Sequence, residues 1–194
     1  MSRFILASAS PRRQHLLRMC GFEFDVIPST VDEVFIDGQD PLTQATRLSS
    51  LKAADVASQH PDTWVLAADT IVVHNGRQLA KPLDTADAHA MLRSLSGHTH
   101  SVVTGVTLQQ GDVVHAFAVT TSVTFAELSD QEIAMYVATG SPMDKAGAYG
   151  IQDDLGALFI SRIDGCYYNV VGLPLQRLYT ELKINKIKIL NVEF

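Results

Sequence analysis

A five-residue apolar run at residues 64–68, WVLAA, is the feature that most constrains the fold of this chain. An uninterrupted run of this length is typical of a strand that is buried on both faces, at the centre of a sheet covered by helices. The segment that follows turns at Asn75 and Gly76, a dipeptide typical of two-residue hairpins. The sequence therefore predicts a sheet that combines a buried central strand with local antiparallel pairing.

Capping residues mark where the helices are expected to begin. Ser10 and Asp40 each precede a proline, which suits the first position of a helix, and Asp84 is expected to cap a third helix. Ser129 and Glu132 form a capping box for a fourth helix. A closing helix is expected in LPLQRLYTELK. Strands are also expected in RFILAS, in FEFDVIPS and in two long strands that turn near Gly111, whereas residues 141–154 are expected to form a loop.

Three details of this assignment concern packing and turns. The first helix is expected to bury an apolar stripe of Leu16, Leu17 and Cys20. The second helix is expected to bury Ala45, Leu48 and Leu51. Residues 156–172 are interpreted as a second hairpin that turns at residues 164 and 165, Asp-Gly.

The order of these elements mixes strand–helix crossovers with hairpins, which predicts an α/β fold with a mixed central sheet. Apolar residues make up 46% of the 194 residues and charged residues only 19%, enough for a packed core and unlike a disordered chain. We expect a single domain over residues 1–194, with a tail at 184–194 that the pattern does not assign.

Charge and composition exclude several classes of function. The net charge of −6 argues against a protein that binds nucleic acid or a membrane surface through bulk positive charge. The sequence shows no signal peptide and no apolar run long enough for a membrane span. Cys20 and Cys166 form no close-spaced pair, which favours a reduced, cytoplasmic protein. His98 and His100 are two residues apart and do not favour a histidine metal site.

Two serines and two arginines gather where the first strand meets the first helix. Ser8, Ser10, Arg12 and Arg13 follow the apolar run FILA. The N-terminus of a helix already carries partial positive charge, so arginines in its first turn are unfavourable unless an anion binds in front of them. The cluster therefore predicts an anion site of the kind that phosphates occupy. The alternative is a capped helix with two solvated arginines.

Asp69 directly follows the central apolar run. A carboxylate at the end of a central strand lies where α/β proteins place their chemistry, and it could hold Mg²⁺ or accept a proton from water. The alternative is a turn or cap residue, which is weaker because the next segment is itself predicted to be a strand. No structural partner for Asp69 is obvious in the sequence. Asp32 and Glu33, in an acidic loop, could supply a second carboxylate.

Other candidate residues are less specific when taken singly. Lys52 and Lys81 could neutralise phosphates, although lysine is normally a surface residue. The segment DKAGAYGIQ, residues 144–152, offers glycines for close backbone approach and Gln152 for hydrogen bonds to a base, but alone it is only a glycine-containing loop. Neither a P-loop nor a dinucleotide-binding glycine motif is present in the sequence.

A series of motifs in consistent order resembles the Maf family of house-cleaning nucleoside triphosphate pyrophosphatases, over about residues 4–182. The motifs are LASASPRR at 6–13, VDE ending at Glu33, Arg47 with Lys52, AADT ending at Thr70, KP beginning at Lys81, DKAGAYGIQ, and YYNVVGLPL at 167–175. The resemblance implies a Maf-type fold related to inosine triphosphate pyrophosphatases, elongated with a central cleft and often dimeric. It also implies hydrolysis of a nucleoside triphosphate to monophosphate and diphosphate with Mg²⁺ or Mn²⁺.

The resemblance further implies a substrate class and residue roles. The segment DKAGAYGIQ resembles the subgroup that acts on dTTP and UTP. By position, Asp69 is the proton acceptor and binds metal together with Glu33. The implied specificity positions are Arg12, Thr70 and Gln152. The implied phosphate-binding residues are Ser8, Arg13, Lys52 and Lys81.

Two function hypotheses follow from the sequence. The first is a cytoplasmic pyrophosphatase with a nucleoside triphosphate as partner, no nucleic acid or membrane partner, and a homodimeric state, acting also against non-standard nucleotides. The second is a nucleotide-sensing regulator of cell division with little turnover. The full set of cations and carboxylates favours the enzyme, because a sensor needs no base.

Overall fold

The computed structural model describes residues 4–36, 38–152 and 155–187. The strands are β1 (Phe4–Leu6), β2 (Phe24–Val26), β3 (Val65–His74), β4 (Arg77–Leu79), β5 (Thr99–Gln110), β6 (Val113–Phe125) and β7 (Ile160–Asp164). The helices are α1 (Pro11–Met19), α2 (Pro41–Ala57), α3 (Thr85–Leu95), α4 (Asp130–Ala138), α5 (Tyr167–Val171) and α6 (Leu175–Ile184). Short 3₁₀ turns lie at Ser141–Asp144, Ala146–Ala148 and Gly156–Phe159.

The strands form one mixed sheet, which confirms the predicted α/β class. Their order is β2-β1-β3-β5-β6-β7, with β4 paired to β3. The pairs β1–β2 and β1–β3 are parallel, whereas β3–β4 and β6–β7 are antiparallel. The run at residues 65–68 is fully buried inside β3, as expected for a central strand. The predicted hairpin also forms, with positive φ at Asn75 and Gly76.

The chain forms two compact units. The first unit contains the described residues of Met1–Asp69, Thr104–Val119 and Gly172–Phe194, and the second contains those of Thr70–Val103 and Thr120–Val171. A single domain over 1–194 stays a prediction. Part of the tail that the sequence left unassigned, residues 188–194, lies outside the described residues. No described helix is long and apolar enough to cross a membrane.

A close contact between α2 and β5 organises the first unit. Gly105 lies in β5, and a Cβ atom at this position would come within 2.2 Å of the Ala45 carbonyl oxygen in α2. Because glycine has no Cβ, the α2 backbone can rest directly on the strand. A core cluster that includes Ala53 and Val56 of α2 and Val65 of β3 also packs α2 on the sheet, and these residues are at most 2% exposed. Helix α2 is thereby fixed on the sheet.

The predicted apolar stripes need correction at two positions. Leu16 and Leu17 are buried as expected, but Cys20 is exposed because α1 ends at Met19 and Cys20 only caps it. In α2, Ala45 and Leu48 are buried, yet Leu51 is 41% exposed. The next residue, Lys52, is buried instead of Leu51. The buried face of α2 therefore includes a charged side chain where an apolar one was expected.

The predicted second hairpin is wrong. Its first strand, β7, pairs with β6, but the chain after Gly165 forms α5 and not a returning strand. The amide of Cys166 donates a hydrogen bond to Thr121 Oγ1 at 3.0 Å, and Asn169 Nδ2 donates to the Val102 carbonyl and to Thr121 Oγ1, each at 3.0 Å. These side-chain contacts to β5 and β6 hold a helical turn where the Asp-Gly pattern indicated a hairpin.

Candidate active site

Ser8 and Arg13 come together at the N-terminus of α1. Ser10 caps the helix as predicted, with its Oγ accepting from the Arg13 amide. Ser8 Oγ accepts from the Ser10 amide at 3.3 Å and from Arg13 Nη1 at 3.0 Å. Arg13 Nε donates to the Gly172 carbonyl at 2.9 Å. The guanidinium is therefore fixed from two directions.

The electrostatic surroundings of Arg13 connect it to two carboxylates. Burial lowers the pKa of Arg13, because a charged group loses solvation when it is buried. The negative charges of Asp69 and Glu33 oppose this shift of the pKa, and the positive charge of Arg12 adds to it. Arg12, the preceding residue of α1, is half-buried. The N-terminus of α1 thus carries a half-buried cation whose charge is balanced by Asp69 and Glu33.

Lys52 links those two carboxylates. Its Nζ lies 2.6 Å from Glu33 Oε1 and 2.5 Å from Asp69 Oδ1. The side chains of Lys52 and Asp69 are 11% and 6% exposed, whereas that of Glu33 is 43% exposed. A buried charge is tolerated only when it is paired and hydrogen-bonded, which these contacts provide. The expectation that Asp69 has no structural partner is therefore wrong, because Lys52 holds it.

Two further residues of α2 hold the loop that carries Glu33, and the sequence did not single them out as site residues. Asp55 Oδ2 accepts hydrogen bonds from Ser29 Oγ and from the Thr30 amide, each at 2.8 Å. Arg47 Nη2 donates to the Val34 carbonyl at 2.5 Å. Arg47 belongs to a motif noted in the sequence, whereas no sequence signal pointed to Asp55.

The remaining predicted site residues belong to the second unit. Thr70 is half-buried in β3 and directly follows Asp69 in the chain. Lys81 is exposed and follows β4 by two residues, directly before the buried Pro82. Gln152 is exposed at the end of the segment 144–152. The structure thus brings Ser8, Arg12, Arg13, Glu33, Lys52 and Asp69 together in the first unit.

The segment before Gln152 is anchored to the interior of the second unit. The amide of Gly147 donates to the Ala80 carbonyl at 3.1 Å, and a Cβ at Gly147 would lie 3.1 Å from Val72. Tyr149 OH and His100 Nε2 are 2.7 Å apart, and the Gly150 amide donates to Tyr136 OH at 3.1 Å. Gly147 therefore serves packing against the protein's own core, and the anchored backbone presents Gln152 at the surface.

Comparisons with known proteins agree on one family. The family described as Maf-like protein matches residues 3–184. The chain is 52% identical over 179 residues to the dTTP/UTP pyrophosphatase of Koribacter versatilis, covering 92% of each chain. It is 48% identical over 177 residues to the dTTP/UTP pyrophosphatase of Shouchella clausii, covering 91% of this chain and 92% of the relative.

Among solved structures, the chain is similar to the Staphylococcus aureus Ham1 protein. The TM-score is 0.48 at 15% identity, covering 95% of this chain and 100% of that chain. A similarity of this degree carries no functional argument.

Proposed function

The chain belongs to the family of Maf-like proteins, and from this premise we propose that it hydrolyses dTTP and UTP to the monophosphate and diphosphate. Two relatives that are 52% and 48% identical to it carry the name dTTP/UTP pyrophosphatase. The structural observation that carries the proposal is Lys52, buried between Glu33 and Asp69 with the cationic Arg13 beside them. Cations and carboxylates together are what phosphoryl chemistry on a charged triphosphate requires.

In the proposed reaction, Asp69 takes a proton from the water that attacks the α-phosphorus, and diphosphate leaves. Lys52 donates to Asp69 Oδ1, which orients the carboxylate and leaves Oδ2 as the oxygen proposed to accept the proton. Ser8, Arg13, Lys52 and Lys81 are proposed to bind phosphate oxygens. The positive charges of Arg13, Lys52 and Lys81 neutralise the triphosphate, which would otherwise repel an incoming oxygen nucleophile.

We propose that Glu33 and Asp69 also hold the divalent metal, Mg²⁺ or Mn²⁺. Among the described residues, no group of three or more His, Cys, Asp or Glu side chains is arranged to hold a metal. Mg²⁺ is commonly bound through only one or two carboxylates together with substrate phosphates, and Glu33 and Asp69 supply two carboxylates whose contacts with Lys52 hold them close together. When bound, the metal would neutralise triphosphate charge and polarise a phosphoryl oxygen.

Selectivity for the base is proposed to rest on Gln152, with Arg12 and Thr70. Uracil and thymine present an acceptor, O4, beside a donor, N3–H, and the glutamine amide offers the complementary donor and acceptor. Cytosine reverses this pattern and would leave polar groups unpaired. The exposure of Gln152 and the anchored backbone before it support this role. In Gln152→Ala, kcat/KM should fall more for UTP than for CTP.

Analysis of the products tests the proposed function directly. Purified protein is incubated with UTP and Mg²⁺, and the products are separated by ion-exchange chromatography after partial hydrolysis. Uridine monophosphate and inorganic diphosphate are expected in equal amounts. Orthophosphate without diphosphate would contradict the proposed bond cleavage, and binding of UTP without turnover would favour the regulator hypothesis. Repeating the assay with CTP, purine triphosphates and 7-methyl-GTP tests the substrate class.

We also propose a cytoplasmic location and a homodimer. A nucleoside triphosphate substrate is a cytoplasmic metabolite, and two cysteines that pair with nothing, one exposed and one half-buried, suit a reducing compartment. The dimer follows from the family resemblance alone. Light scattering coupled to size-exclusion chromatography measures the oligomeric state.

A further inference from the structure

The acidic loop, residues 27–40, carries Glu33 and has no helix or strand over its described residues 27–36 and 38–40. Burial does not hold its middle part, because the side chains of Val34 and Ile36 are 63% and 51% exposed. A segment that neither forms regular structure nor buries its side chains needs other contacts to keep one conformation. The start of the loop is held by the Ile27 amide, which donates to the Leu6 carbonyl of β1 at 3.1 Å. Nearer to Glu33, side chains of a single helix, α2, contact the loop at residues 29–30 and at residue 34.

The contact before Glu33 is made by Asp55. Its Oδ2 accepts from the Thr30 amide and from Ser29 Oγ, each at 2.8 Å, and from Thr30 Oγ1 at 3.4 Å. Ser29 Oγ in turn accepts from the Val31 amide at 3.2 Å. The hydrogen bond from the Thr30 amide, followed by that from Ser29, lowers the pKa of Asp55, so the carboxylate stays ionised at neutral pH.

The contact after Glu33 is made by Arg47. Its Nη2 donates to the Val34 carbonyl at 2.5 Å and to Gln44 Oε1 at 3.3 Å, while its Nε donates to Gln39 Oε1 at 3.4 Å. Gln44 lies on α2 and is 2% exposed, so the guanidinium is braced by a buried side chain. Arg47 therefore connects a fixed helix to the backbone immediately after Glu33.

We propose that Arg47 and Asp55 are positioning residues, which fix the backbone on both sides of Glu33 and so place its carboxylate beside Lys52 and Asp69. The three α2 residues Arg47, Lys52 and Asp55 contact the loop after, at and before Glu33, over a helix length of about 12 Å. A loop segment bound at three points to one rigid helix has little freedom to move the carboxylate between them. This inference rests on the proposed function in that it gives Glu33 a place in the reaction.

A double-mutant cycle tests whether these residues act through Glu33. Asp55→Ala should lower kcat/KM for UTP about 10- to 100-fold, the usual cost of losing a group that orients a functional side chain. In a Glu33→Gln background the same change should cost less than about threefold, because the group that it positions is already disabled. Equal losses in both backgrounds would overturn the proposal. Asp112→Ala, which removes an exposed carboxylate in the same unit, is the matched control and should leave kcat/KM unchanged.

Two milder variants keep the test decisive if Asp55→Ala does not fold. Ser29→Ala removes one loop-side partner of Asp55, and Arg47→Lys keeps the charge but loses the forked contacts to the loop. Each should show a smaller loss than Asp55→Ala that again shrinks in the Glu33→Gln background. Asp55→Asn, which keeps an accepting oxygen, should restore part of the activity.

A measurement without substrate separates this inference from the proposed function. Hydrogen exchange of the backbone amides at residues 29–34 should be about tenfold faster in Asp55→Ala and Arg47→Ala than in the wild type or Asp112→Ala. Unchanged exchange would overturn the positioning role. If the wild-type protein hydrolyses no nucleoside triphosphate, the proposed function fails, while this exchange comparison still decides whether the loop is fixed from α2. Direct titration with Mn²⁺ should show weaker binding of the metal to Asp55→Ala and Arg47→Ala than to the wild type.

Discussion

The two units each contain a cluster of interacting side chains, but the two clusters differ in charge. The charged cluster of the first unit consists of Arg13, Glu33, Lys52 and Asp69. Lys52 forms ion pairs with both carboxylates, and the charges of these carboxylates also act on Arg13. The aromatic cluster of the second unit consists of His100, Phe125, Tyr136, Tyr149 and Phe159. There the rings of Phe125 and Tyr149 are 4.8 Å apart in an edge-to-face arrangement, and a neutral hydrogen bond joins His100 to Tyr149.

The difference indicates what each cluster contributes. Burying charges costs solvation energy even when the charges are paired, so ion pairs add little to stability compared with apolar packing of the same volume. Edge-to-face rings and a satisfied neutral hydrogen bond stabilise the fold. We therefore expect substitutions in the charged cluster to change the reaction rate most, and substitutions in the aromatic cluster to change the free energy of unfolding most.

The largest expected effect is the loss of turnover in Asp69→Asn. Removing a general base lowers the rate about 10²- to 10⁴-fold. Stability should change much less, because Lys52 keeps its ion pair with Glu33. Steady-state UTP hydrolysis and urea unfolding measure the two quantities. Asp112→Asn is the control for removing an acidic charge, and retention of more than half of the activity in Asp69→Asn would exclude Asp69 as the base.

The second prediction concerns acid stability and the aromatic cluster. Burial, with a contribution from His74, lowers the pKa of His100 from 6.5 to about 4. Between pH 4 and pH 6.5, His100 is therefore protonated in the unfolded chain but neutral in the folded protein. The contribution of His100 to the free energy of unfolding is fully present above pH 6.5. It declines by about 3 kcal/mol in total as the pH falls towards 4.

Comparison of three proteins isolates this contribution. Urea unfolding of the wild type, His100→Phe and His15→Gln is followed from pH 7.5 to 4. The wild type and His15→Gln, which changes an exposed histidine, should lose stability in parallel. His100→Phe should lose about 3 kcal/mol less over this range. Parallel loss in all three proteins would show that His100 does not titrate in this way.

The third prediction removes the hydrogen bond inside the aromatic cluster. In the described part of the chain, His100 Nδ1 has no hydrogen-bond partner, so Tyr149 OH is the partner of this buried ring. Tyr149→Phe leaves the imidazole unsatisfied and should cost about 1–3 kcal/mol. Tyr167→Phe, at an exposed tyrosine of the same unit, should cost nothing measurable. Thermal and urea unfolding measure the difference, and an equal effect of the two changes would contradict the prediction.

The smallest expected effect is at a helix cap of the second unit. Ser129 and Glu132 form a full capping box at the start of α4, the helix that supplies Tyr136. Ser129→Ala should lower the free energy of unfolding by about 1 kcal/mol, since the orphan amides of the first turn lose an acceptor. The kcat for UTP should remain unchanged. A large fall in kcat would contradict the expectation that changes around the aromatic cluster affect stability and not the reaction rate.

Local features of this fold could be predicted from the sequence. The caps at Ser10, Asp40, Asp84 and Ser129 all form as expected, because a cap is a contact over three residues. The hairpin at Asn75 and Gly76 forms for the same reason. The returning strand after Gly165 was predicted wrongly, because contacts from Cys166 and Asn169 to distant strands decide that turn.

The geometry of the candidate site could be predicted less well from the sequence. Motifs indicated that Glu33, Lys52 and Asp69 matter, and their roles stay predictions. Their mutual contacts join residues that are 17 and 19 positions apart and could not be read from spacing. The burial of Lys52 was also missed, because amphipathic periodicity assigns a lysine to the exposed face. Asp55 belongs to no motif noted in the sequence, so only its contacts with the loop indicate a role at the site.

The close approach of α2 to Gly105 has a consequence for how this protein can change over generations. Every amino acid other than glycine carries a Cβ, which would meet the Ala45 carbonyl at 2.2 Å. Replacement of Gly105 by any other amino acid therefore shifts the helix that bears Arg47, Lys52 and Asp55. Random mutagenesis should find position 105 closed to replacement even though glycine has no side chain that could contact a substrate. Lineages that diverge in substrate preference are then expected to vary elsewhere and to inherit this glycine unaltered.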